Sequence, residues 1–159
     1  MSTIGFDTSN YTTSTAWTDG KTDINVRQIL YVKDGERGIR QSDGVFQHMK
    51  LMPVMYEKLS EQIDFKDVKA VGVSTRPRCV EGSYMPVFLA GEGYAKVVAN
   101  TLGVPLYEFS HQDGHIMAGI YSSSSFELLE NDFISVHLSG GTTEILKSRY
   151  NEFNFDNEN

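Results

Sequence analysis

The chain has 159 residues, 40% of them hydrophobic, which suits one packed domain or one domain plus part of another and excludes wholesale disorder. Lys and Arg total 14 against 21 Asp and Glu, a formal net charge of -7, which argues against binding nucleic acid through bulk positive charge but not against a local basic patch. Cys79 is the single cysteine, so an intrachain disulfide and a cysteine-based zinc site are excluded.

In chain order, Thr3 to Phe6 reads as a short first strand followed by the polar loop Asp7-Thr8-Ser9-Asn10-Tyr11-Thr12-Thr13. Ser14 to Trp17 reads as a second strand, and Asp19-Gly20 is a hairpin turn because both residue types tolerate positive φ. A third strand at about Asn25 to Val32 completes an antiparallel meander. From Ser42 to Gln62, Val45, Met49, Met52, Met55, Tyr56 and Leu59 recur at helical spacing, with Pro53 expected to kink or split the helix. Ala70 to Ser74 is an apolar strand, Pro86 to Leu102 a helix, and Pro105 to Phe109 another strand. Ser110 is a candidate N-cap for a helix from His111 to about Tyr121. The serines from Ser122 to Ser125 read as a linker or loop, and Phe133 to Leu138 with Thr143 to Leu146 reads as a second hairpin. The polar tail 151–159 is expected to fray.

Three meander strands followed by alternating helices and strands predict an α/β fold of the ribonuclease-H-like type, resembling actin, sugar kinases and Hsp70-type ATPases. That expectation is a mixed sheet flanked by helices over 1–124, the opening hairpin of a second lobe over 125–150, and a polar tail. The N-terminus carries no basic leader or apolar run, and no stretch approaches the ~20 apolar residues that span a bilayer, so a soluble cytoplasmic protein is expected.

Three constellations carry candidate chemistry. His111 and His115 are four apart on one helix face, their Cβ atoms about 5–6 Å from each other, where two imidazoles can share a metal. The same spacing is also that of two surface histidines. The strand just before them would place the pair at the carboxyl edge of the sheet, where α/β proteins bind ligands. The loop with Thr8 and Ser9, and the turn Ser139-Gly140-Gly141-Thr142-Thr143, occupy matching points of two successive units. Hydroxyls and close-approaching glycine backbone there could cradle a phosphate, although each is also an ordinary hairpin turn. The loop Ser74 to Ser83 offers Arg76, Arg78 and Ser83 to an anion or substrate, or is a solvated surface loop.

Gly5-Phe6-Asp7-Thr8-Ser9, His111-x-Asp113-Gly114-His115, Ser139-Gly140-Gly141-Thr142-Thr143, Gly82-Ser83 and Ala95-Lys96 together resemble the universal tRNA threonylcarbamoyladenosine-forming family, called TsaD in bacteria and once described as glycoproteases. The resemblance runs from about residue 3 to residue 147. It departs from the family at Asp7, usually Glu, at Thr142, usually His, and at Arg76-Pro77-Arg78, usually Gly-Pro-Gly, which suggests a divergent paralogue.

The resemblance implies a metal-dependent transfer of a threonylcarbamoyl group from an adenylate to tRNA adenosine. His111 and His115 would bind one divalent metal, iron or zinc, and Asp113 would act as catalytic acid/base or orient a ligand. Thr8, Ser9, Ser139, Gly140, Gly141 and Thr142 would hold the phosphate of ATP or an adenylate. The family's third metal ligand and adenosine-binding segment belong to its second lobe, so the expectation is an N-terminal lobe inactive alone. The alternative is a non-catalytic subunit that pairs with a complete paralogue or with itself; a glycoprotease-type hydrolase rests only on the historical label.

Overall fold

A computed structural model describes residues 1–139, 142–151 and 154–158. The elements run β1 (Ser2–Asp7), β2 (Thr12–Thr18), β3 (Asp23–Ile29), α1 (Gln41–Ser60), β4 (Val68–Arg76), α2 (Phe88–Leu102), β5 (Leu106–Ser110), α3 (His111–Ser123), β6 (Phe133–Ser139), β7 (Thr142–Asn151) and β8 (Asn154–Glu158), with short 3₁₀ turns at Phe65–Asp67 and Phe126–Glu130. One mixed sheet has the order β3-β2-β1-β4-β5, and β6-β7-β8 form a second. β1 pairs antiparallel with β2 and parallel with β4, and β5 continues the parallel side. This is the ribonuclease-H-like α/β arrangement expected from the strand order.

The alternation within β1 and β4 sorts the two faces of the sheet. Ile4 and Phe6 lie in register with Val71 and Val73 and are buried against Met52, Leu59, Ala95 and Ala99 of α1 and α2. Gly5 and Gly72, also in register, sit on the opposite face.

Helix α1 runs unbroken through Pro53, so the helix is not split there. Proline cannot donate the helical bond to the carbonyl four residues earlier, at Met49. The Tyr94 hydroxyl donates to that carbonyl from α2 at 3.0 Å, so the orphaned acceptor is satisfied. The buried face of α1 is also shifted: Met49 is exposed, and His48 occupies the core position beside it. Helix α2 ends at Gly103, whose φ of 67° is left-handed, with the Val104 N–H donating back to the Ala99 carbonyl.

Ser110 caps α3 as expected. Its hydroxyl accepts from the Asp113 N–H, and the Asp113 carboxylate accepts from the Ser110 N–H, a reciprocal capping box. The serine run is not a simple loop: Ser122 and Ser123 finish α3, and Ser124 is its left-handed cap at φ 56°. The tail does not fray throughout, because Asn154–Glu158 pairs antiparallel with β7 and buries Phe155 against Phe133 and Tyr150.

Candidate functional site

The carboxyl ends of β1, β4 and β5 converge at one edge of the first sheet, where three chain segments meet. β1 ends at Asp7, β4 runs into the Arg76–Ser83 loop, and β5 passes directly into α3 at Ser110. Because the capping box fixes the first turn of α3, His111 projects at this edge. Its Nδ1 lies 2.9 Å from Asp7 Oδ2. Burial alone would raise the Asp7 pKa, but hydrogen bonding and charge from His111, with bonds from Ser9 and Ser74, outweigh it and hold the carboxyl at about 2. Asp7 therefore stays ionised and favours the His111 tautomer with its proton on Nδ1, leaving Nε2 as a lone pair for a proton or a ligand.

His115 is the next group outward. The two rings are 4.2 Å apart between centroids, edge to face, and the His137 ring of β6 follows at 5.3 Å. Desolvation pushes the His115 pKa below its ordinary value, reinforced by His111 and His137 and opposed by Asp7. At neutral pH His115 is thus an uncharged imidazole, competent as acceptor or ligand.

A second set of contacts joins the two sheets. Glu144 of β7, only 11% exposed at its side chain, receives Arg78 Nη2 at 2.7 Å and Gln112 Nε2 at 3.1 Å. His137 Nδ1 lies 3.5 Å from the same carboxylate, within ion-pair reach but not hydrogen-bonded.

The structure brings His111 and His115 together and adds Asp7 to them. It places several other candidates elsewhere. Thr8 is fully buried; its hydroxyl donates to the Val87 carbonyl at 2.8 Å and accepts from the Gly91 N–H at 3.0 Å, so it clamps α2 to β1. Asp113 caps the helix through Oδ2 and is 3% exposed. Arg78 is held by Glu144, and the Ser83 hydroxyl accepts from the Arg78 N–H, shaping the loop from within. Arg76 reaches Thr75 Oγ1 at 3.2 Å and Cys79 Sγ at 3.7 Å. Ser9 remains at the edge, its N–H bonded to Asp7 Oδ1 at 2.8 Å. Gly140 and Gly141, and the side chains of Ser139 and Thr142, lie outside the described residues.

As a metal centre the described residues are incomplete. Two imidazoles are adjacent, but among the described residues no group of three His, Cys, Asp or Glu side chains is arranged to hold a metal ion. The sequence reading missed His137 and Glu144. His137 and Glu144 lie within alternating strand segments, and no local pattern marks either as part of the edge.

The fold and the histidine edge define a ribonuclease-H-like α/β lobe of the actin and Hsp70 type. Its fold matches that of YeaZ from Pseudomonas aeruginosa, with a TM-score of 0.57 at 11% identity over 100% of this chain and 65% of that one. Residues 35–158 match the family model of the tRNA N6-adenosine threonylcarbamoyltransferases, and the chain belongs to that family. It is 33% identical over 98 residues to the tRNA N6-adenosine threonylcarbamoyltransferase of Christiangramia forsetii, covering 61% of this chain and 27% of that protein. It is 28% identical over 144 residues to the Pyrobaculum calidifontis enzyme of the same name, covering 89% and 40%. The chain thus spans between about a quarter and two fifths of these relatives' length. Among the described residues no helix is long and apolar enough to cross a membrane.

Proposed function

We propose that these residues supply the histidine side of a threonylcarbamoyl-transfer site that acts on tRNA in the cytoplasm, and that groups outside these 159 residues contribute the rest. The observation that carries this reading is the Asp7-held His111 beside His115 at the carboxyl edge of the sheet, in a member of the transferase family. In this reading Asp7 fixes the His111 tautomer, and the Nε2 lone pair faces the ligand. An adenylate, or ATP, is the ligand, with Ser9 and the Ser139–Thr142 turn on its phosphate and Arg76 as a nearby cation. Thr8 and Asp113 take structural parts instead, as hydroxyl clamp and helix cap.

The test is a transfer assay with threonylcarbamoyl-adenylate and tRNA, run on the purified chain alone and with candidate partner subunits. No turnover is expected from the chain alone; robust turnover without a partner overturns the reading. A parallel Zn²⁺ titration should show only weak binding, lost in the His111→Ala, His115→Ala double variant, because two imidazoles are fewer than the three or four ligands of a stable site. Equal affinity in both proteins would put the ligands elsewhere.

A second reading, a non-catalytic subunit that pairs with a complete paralogue, is favoured by the outer faces of α1 and α2. Phe46 and Met49 on α1, and Leu89 and Val97 on α2, are all exposed. Leu89, Gly93 and Val97 recur every four residues and so form one stripe. A Val97→Lys substitution should abolish capture of a purified family paralogue under this reading and leave it unchanged if the helices face solvent.

A further inference from the structure

Beneath α3, on the face of the first sheet opposite the α1–α2 core, lies a cavity of about 360 Å³. Its origin is legible in two residues. Gly5 of β1 and Gly72 of β4 are in register on adjacent strands and both point to this face. A Cβ built at Gly5 would meet no atom within 4 Å, and one at Gly72 would meet only the Phe109 ring, at 3.4 Å. A sheet face normally projects side chains into such a space; two paired glycines leave it empty.

The walls are Phe109, Met117, Tyr150 and Phe155, which make the cavity apolar and largely aromatic. Asp113 also lines it. One oxygen of that carboxyl, Oδ2, accepts from the Ser110 N–H in the helix cap. The other, Oδ1, is buried and has no hydrogen-bond partner in the described structure, although the residue is only 3% exposed. An unsatisfied acceptor buried against an apolar wall is costly, so a donor that reached it would recover that cost.

The geometry points to a small-molecule site in this cavity, separate from the histidine edge, for an aromatic ligand that carries an amino or ammonium group donating to Asp113 Oδ1. The volume falls within the range of ligand pockets, and one polar group on an aromatic wall is the usual way such pockets fix orientation. A flat ring fits against the glycine floor, since neither strand offers a Cβ to lift it away. The histidines are not required: His111 and His115 do not line this space.

The experiment uses the full chain and three probes of one size, 2-phenylethylamine, 2-phenylethanol and phenylacetate, followed by NMR chemical-shift titration. The amine is expected to perturb Gly5, Gly72 and Met117 amides and to bind at least about tenfold more tightly than phenylacetate, since the anion faces an acceptor. Asp113→Asn keeps an acceptor for the cap but turns the free oxygen into a donor, and should remove that preference. Gly5→Val adds methyl groups to the empty space and should abolish binding of all three. Should that variant not fold, Met117→Trp closes the cavity from the helix side and reads the same loss. The proposal is overturned by amine and carboxylate binding alike, by no binding of any probe to the wild type, or by unchanged binding in the filled variant.

Discussion

His48 has no solvent exposure, and its Nδ1 lies 2.7 Å from Thr13 Oγ1 while Nε2 has no partner in the described structure. Burial pushes its pKa down to about 4, and the Asp7 charge pulling the other way offsets this only in part. The folded pKa therefore lies below the unfolded value of 6.5, and between the two the unfolded chain binds more protons. Its contribution is complete above pH 6.5 and is lost as the pH falls from 6.5 towards 4. At 1.36 kcal/mol per unit this amounts to up to about 3 kcal/mol. Asp7 extends the trend further into acid: its folded value of about 2 is below the ordinary 3.8, so its contribution disappears between those pH values. Urea midpoints at pH 7, 5.5 and 4.5 should fall steeply for the wild type. A His48→Asn variant should be less stable at pH 7 and nearly flat over the same interval. The exposed His115 shifts in the same direction, and a His115→Ala control should leave the slope largely in place. A wild-type midpoint independent of pH between 7 and 4.5 would mean that folding leaves the His48 pKa unchanged.

At the scale of elements, the seating of α2 against the β1–β2 loop depends on a glycine and a hydroxyl. A Cβ at Gly91 would stand 2.8 Å from Thr8 Oγ1 and 3.3 Å from its Cγ2, and would break the bonds by which Thr8 holds both Val87 and Gly91. Gly93, two residues on in the same helix, has nothing within 4 Å of that position. Gly91→Ala should therefore destabilise by about 1–3 kcal/mol through overpacking, whereas Gly93→Ala should stabilise by roughly 0.5–1 kcal/mol through helix propensity. Thermal melts of the pair check both signs, and two stabilised variants would mean that α2 slides freely. This clamp shows why sequence reading reached the elements more easily than their contacts. The helix starting at His111 was legible because Ser110 and Asp113 are three apart and bond locally. The histidine pair was legible by the same rule of spacing. Thr8 looked like a phosphate ligand because nothing local reveals that its partners are 79 and 83 residues away. The Asp7–His111 contact spans 104 residues, and nothing in the sequence reading paired the two. β8 escaped notice because one buried aromatic, Phe155, in a polar segment gives no periodicity to read. The effect of Pro53 was hidden for a related reason: the hydroxyl that rescues its helix comes from α2.

Across the whole molecule, the two sheets differ in how completely they are covered. The first is packed on one face by α1 and α2, whereas among the described residues β6 is an edge strand of the second, paired on one side to β7 only. Ile134, Val136 and Leu138 alternate along its outer face and are 65%, 59% and 71% exposed, and Ile145, opposite Val136 on β7, is 63% exposed. From Phe133 to Ser139 the strand has no proline, lysine or carboxylate of the kind that blunts natural edges. Unpaired backbone donors and acceptors coincide here with a continuous apolar band, whereas the α1–α2 stripe offers apolar surface without backbone groups to pair. Two copies of β6 can therefore associate edge to edge in antiparallel register, each Val136 near the two-fold axis. The net charge of -7 opposes this at long range, and salt screens that repulsion. Sedimentation velocity should show a concentration-dependent dimer that strengthens as ionic strength rises. Val136→Lys places a charge at the centre of the paired edge and should return the chain to monomer at all concentrations, while Val97→Lys on the helices should leave the dimer intact. A dimer lost with the Val97 variant and kept with the Val136 variant would transfer self-association to the helix stripe. A monomer under every condition would mean that the edge is inert.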